Sequence, residues 1–169
     1  MLVLLLLLLL TTLTEKNDNG WDQGQVMTLP NASILSPYGV CNSLLKQTWQ
    51  PLVLKAEFAP PSFTNTTQLF ALMTRNETSI SCRVVNFNST KTLRVDLSST
   101  LAANECLHSG AMAQVLTMRA DSTYAVNTPA KPDNVAVREA PPLPITAGAF
   151  VFSAPAISIS VVTAQLIKC

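Results

Sequence analysis

Residues 1–10 are almost pure leucine, with no polar residue from Met1 to Leu10. The run suits the apolar core of a signal peptide and is too short to cross a bilayer as a helix, so no stable membrane span is expected. No basic segment precedes it, and no small-x-small cleavage site stands before Glu15. It reads either as a leader or as a buried strand of a larger domain. The chain then turns polar, with a strong turn signal at Asn17-Asp18-Asn19-Gly20. Ser36-Pro37 has the form of an N-cap followed by a first helical residue. Val40 and Leu44, with Cys41 and Leu45 one residue round, make an apolar stripe at helical spacing that ends near Trp49.

Beyond Gln50 the period changes to two. Strands are expected over 51–58, 68–74, 79–86, 90–97, 113–120, 148–153 and 157–166. Leu93, Val95 and Leu97 alternate with Thr92, Arg94 and Asp96, which describes a sheet with one wet face. Ile157, Ile159 and Val161 alternate in the same way with Ser158 and Ser160. The proline-rich stretch 127–144 is excluded from a central strand, because proline cannot donate to the ladder. Seven short strands separated by turns predict a mainly β fold, an antiparallel β-sandwich of jelly-roll-like form. The boundary falls near residue 49. A lone strand and helix cannot bury both faces, so residues 1–49 are expected to expose apolar surface.

Composition narrows the function classes. Hydrophobic residues make up 48% and charged residues 12%, which excludes a charge-solvated disordered chain. Eleven basic residues against ten acidic, without a cluster, give no footprint for nucleic acid. The cysteines Cys41, Cys82, Cys106 and Cys169 form no C-x-x-C pair, so neither a zinc nor a redox motif is indicated and no cofactor is expected. Disulfides among them have three pairings open. Sequons at Asn31, Asn65, Asn76 and Asn88 are the acceptors expected on surface turns of a secreted or lysosome/vacuole-type glycoprotein. His108 is the single histidine and reads as a solvated loop residue, since neither a nucleophile elbow nor further metal ligands accompany it.

Four segments carry a resemblance. Thr14-Glu15-Lys16-Asn17-Asp18-Asn19-Gly20-Trp21, with Val26 and Pro30, is similar to the last barrel strand and following loop of the α-L-arabinofuranosidases of glycoside hydrolase family 51. Ser36-Pro37-Tyr38-Gly39-Val40 resembles the start of that family's last barrel helix. Asn127-Thr128 and Asp133-Asn134-Val135 resemble a loop of its sandwich, and Pro155 to Val161 its final strand. The similarity runs over residues 12–167. The departures are the absent upstream barrel, the leucine run and a two-residue variation around Gln23–Gln25.

The resemblance implies a (β/α)8 barrel with a β-sandwich beside it. On this reading 1–14 is an apolar leader, 15–49 the end of the barrel and 50–169 the sandwich. It also implies retaining glycosidase chemistry on arabinose-containing glycans, which needs two carboxylates roughly 5 Å apart. Both family glutamates would lie upstream of Met1, so no catalytic residue is expected here, and the missing catalytic barrel is the expected partner. Glu15 and Asp18 would be supporting residues at a barrel strand end. Trp21, Gln23 and Gln25 are the sugar-contact candidates, because a glutamine amide both donates to and accepts from hydroxyls. The bland alternative is a polar loop anchored by a tryptophan. A different class of function stays open beside the accessory domain: a free-standing secreted sandwich that binds a glycan or a protein.

Overall fold

The computed structural model describes residues 26–29, 32–54, 69–87, 90–98, 101, 104–107, 110 and 112–168. The leucine run lies outside them. Strands β1 (Val26–Leu29) and β2 (Ala32–Leu35) form a hairpin. Helix α1 (Pro37–Gln47) begins as the sequence predicts: the Ser36 hydroxyl accepts from the Gly39 amide at 3.1 Å, and Pro37 takes the first turn, where its missing N–H costs nothing. Gly39, Val40 and Leu44 are its buried face.

The strands that follow are β3 (Leu52–Leu54), β4 (Leu69–Arg75), β5 (Ser79–Asn86), β6 (Lys91–Asp96), β7 (Glu105–Leu107), β8 (Met112–Arg119), β9 (Ala136–Pro144), β10 (Ala149–Ala154) and β11 (Ser158–Lys168). The large sheet has the order β3-β4-β5-β11-β8-β9, with β7 added to the end of β11. Strands β6 and β10 make a second, two-stranded sheet. All pairings are antiparallel. The core lies between the two sheets. Met73, Ile80, Cys82, Val84, Val115, Val162 and Ala164 face it from the large sheet, and Phe150, Phe152 and Leu97 from the small side. The fold is the expected mainly β sandwich.

Of the strand expected over 51–58 the described part is Leu52–Leu54, residues 55–58 lying outside the described residues. Two local findings add to the expectations. First, the proline-rich stretch, barred from a central strand, holds an edge strand. β9 sits at the sheet edge and pairs with β8 alone, which the donor rule permits. Its register slips where Val115 opposes Ala140 but Ala113 opposes Leu143. Pro141-Pro142 therefore occupy a bulge, where one extra residue needs no ladder bond.

The second concerns the serine face of the last strand. Ser158 and Ser160 are buried, not wet, because they point between the sheets in register with Val84, Asn86 and Thr117. The opposite side of β11 is buried too, Val161 being 1% exposed. A third layer explains this: α1 lies against β8 and β9 on the outer face of the large sheet. By contrast β6 keeps a half-wet pattern, with Thr92, Arg94 and Asp96 exposed.

Turns fix the corners. Ala147 and Gly148 both have positive φ (49° and 75°), the pair a tight hairpin turn requires, and Thr146 and Ala149 exchange hydrogen bonds of 2.8 and 3.0 Å across it. The β10–β11 link is held by Asn86, whose amide donates to Ala154 O and Pro155 O at 3.1 and 2.8 Å. Arg75 and Glu105 form a bidentate ion pair of 2.8 and 2.6 Å that ties β4 to β7.

Phe152 is 3% exposed and its neighbour Val151 is 55% exposed, on opposite faces of β10. Phe152→Ala should cost about 3–5 kcal/mol in urea unfolding, against less than about 1 kcal/mol for Val151→Ala. Burial, partly opposed by the charge of Arg83, pushes the Cys82 thiol from its ordinary 9.0 up to about 12. The folded state holds this thiol protonated, so its contribution is complete below pH 9.0 and is lost as pH rises toward about 12. Stability measured over that window should fall more steeply for the native chain than for Cys82→Ala.

Candidate functional site

Trp21, Gln23 and Gln25 lie outside the described residues, as do Glu15, Asp18 and the sequon asparagines Asn31, Asn65 and Asn88. Asn76 is described. It forms the β4–β5 turn, its side-chain oxygen accepting from the Thr78 and Ser79 amides at 3.0 and 2.8 Å. Glu77 and Thr78 of that sequon are exposed.

The described polar chemistry concentrates where the helical segment meets the sandwich. Polar contacts cross position 50 at two places. At the first, Gln50 is 4% exposed; its amide nitrogen donates to Ser79 Oγ at 2.8 Å and Ser79 O at 3.3 Å. Its oxygen accepts from Thr74 Oγ1 at 2.9 Å. Arg83, 6% exposed, donates to Thr74 Oγ1 and to the carbonyl of Thr48, the residue that caps α1. Among the described residues no carboxylate pairs with Arg83. Burial lowers its pKa, with the adjacent Cys82 opposing. The carbonyl end of a helix carries a partial negative charge, so the C-terminus of α1 serves as the counter-charge.

At the second place, Asn127 is 2% exposed and fills three hydrogen-bonding positions. It donates to Leu35 O at 2.8 Å and to Val135 O at 2.9 Å, and accepts from Val135 N at 2.7 Å. It thereby joins β2 to Val135, the residue that precedes β9. Asn134 donates to Val126 O at 3.0 Å and closes the same loop. The residues singled out in the sequence at 127–128 and 133–135 are thus a structural staple. Arg83 and Gln50 were not singled out. The one signal was a polar file, Ser79-Ser81-Arg83, opposite an apolar helix face that needed a surface to cover.

This seam can orient and bind, but it holds no acid pair. Glu105 is committed to Arg75. Asp96 accepts from the Ser98 hydroxyl and amide, which lowers its pKa, the reverse of what a general acid needs.

No protein-family model and no curated protein matches the chain. Solved structures do. The arabinose-bound family 51 α-L-arabinofuranosidase MgGH51 superposes with a TM-score of 0.69 at 18% identity, over 89% of this chain and 22% of its own. The chain has the fold of part of a family 51 α-L-arabinofuranosidase. The enzyme from Thermotoga maritima, solved with arabinose, gives 0.65 at 16% identity, over 85% of this chain and 32% of its own. AbfB from Bifidobacterium longum gives 0.56 at 18% identity, over 84% of this chain and 28% of its own. The chain therefore spans between about a fifth and a third of the length of these enzymes.

Truncating the staple tests its weight. Asn127→Ala removes three hydrogen bonds, the two to Val135 being buried, and should cost about 2–4 kcal/mol, read as a lowered urea midpoint with an unchanged slope.

Proposed function

We propose that this chain is the C-terminal accessory region of an α-L-arabinofuranosidase-like glycoside hydrolase, supporting a barrel that carries the catalysis and inactive alone. The observation that carries the reading is the superposition on MgGH51, which takes in nearly all of this chain and about a fifth of that enzyme. The seam at Gln50, Arg83 and Asn127 supports it, because it binds the segment before residue 50 firmly to the sandwich. A barrel continuing upstream would be held in a fixed pose by that segment. Trp21, Gln23 and Gln25 are the proposed contacts to an arabinose-containing glycan, on a loop contributed to the barrel's rim.

A secretory compartment is part of the proposal. Cys106 is disulfide-bonded, and such bonds persist where thiols are not kept reduced. The sequons at Asn31, Asn65, Asn76 and Asn88 are the proposed glycosylation sites. Among the described residues no helix is long and apolar enough to cross a membrane.

The purified chain should give no turnover of an aryl α-L-arabinofuranoside above buffer. Transcript sequence upstream of Met1 should continue in frame into βα units carrying the two carboxylates. Turnover that survives stringent purification would contradict the inactivity, and a stop codon directly upstream would contradict the accessory role.

A further inference from the structure

The inner face of the large sheet is graded along the strands. Where Cys82, Val162, Val115 and Ala140 stand in register it is apolar, and it belongs to the core. One row further along, Val84, Ser160, Thr117 and Arg138 are aligned, and then Asn86, Ser158 and Arg119. The Thr117 and Ser160 hydroxyls share a hydrogen bond of 3.0 Å. Arg119 and Arg138 are diagonal neighbours on one face of the β8–β9 pair, since Thr117 faces Arg138 and Arg119 faces Ala136. Both are exposed where the sandwich opens.

They line an open cleft of about 600 Å³ with Lys131, Asp121, Asp133 and Asn134. The cleft holds three cations against two carboxylates. Among the described residues none of those cations is in an ion pair. The floor of the loop is fixed by Asn127 and Asn134, so the charges are carried on braced backbone.

We infer that this cleft is a non-catalytic binding site for a glycan that bears a carboxylate, a uronic acid residue being the recognised unit. Two adjacent guanidinium forks match a carboxylate in a planar, bidentate manner, and Asp121 and Asp133 accept from sugar hydroxyls at the rim. The balance of charge is too small for a nucleic-acid backbone, which demands a longer row of cations. The inference rests on the cleft itself and survives if the chain proves to have no catalytic partner.

Native gel electrophoresis of the full chain tests it, with polygalacturonate, neutral arabinan or single-stranded DNA in the gel. Polygalacturonate should retard the chain, weakening as salt rises; arabinan should not. Arg119→Gln with Arg138→Gln should weaken retardation roughly ten- to hundredfold, and Arg138→Lys by less, since the charge stays and the fork is lost. Circular dichroism checks that these exposed changes leave the sandwich folded. If the double variant does not fold, Lys131→Gln decides, with reduced retardation expected. Absent retardation by polygalacturonate, undiminished retardation of the variants, or equal retardation by DNA would each overturn the inference.

Discussion

A buried guanidinium at the end of a short helix organises this chain. Arg83 projects from a central strand onto the outer face of the large sheet and ends on the capping carbonyl of α1. Taking such a charge out of water costs several kcal/mol. Two charge-assisted hydrogen bonds return about 1.5–3 kcal/mol each, and the helix dipole up to about 2 kcal/mol. The interaction therefore holds only while the helix stays docked, and the helix stays docked partly because of it. Thr74, Gln50 and Ser79 extend the same network to the neighbouring strand and to the segment that enters the sandwich.

That coupling makes the molecule three layers deep. The small β6–β10 sheet covers one face of the large sheet, and α1 covers part of the other. Val40 and Leu44 find burial there, whereas Val26, Leu35 and Trp49 remain exposed. The sandwich core and the helical layer share β11, whose two faces are both buried along Ser160 to Val162.

Much of the fold was legible in the residues. Ser36-Pro37 marked the helix start because its physics is local, and β5 and β6 followed from period-two alternation. What failed was non-local. The serines of β11 matched a wet face by pattern, and only the register with Asn86 and Thr117 reveals that they point inward. β9 was hidden by its prolines, which an edge position and a bulge accommodate. The cleft was illegible for the same reason, since Arg119 and Arg138 become neighbours only through strand pairing. The sugar-contact candidates Trp21, Gln23 and Gln25 lie outside the described residues, and the likeness to family 51 enzymes rests on fold at 16–18% identity.

Native-state hydrogen exchange bears most directly on the claim that helix and sheet form one cooperative unit through Arg83. Amides of Leu44–Thr48 and of Val84–Asn86 should open with the same free energy in the native chain, and Arg83→Met should separate them, the helix exchanging first. Independent opening of the helix in the native chain, unchanged by Arg83→Met, would contradict the account.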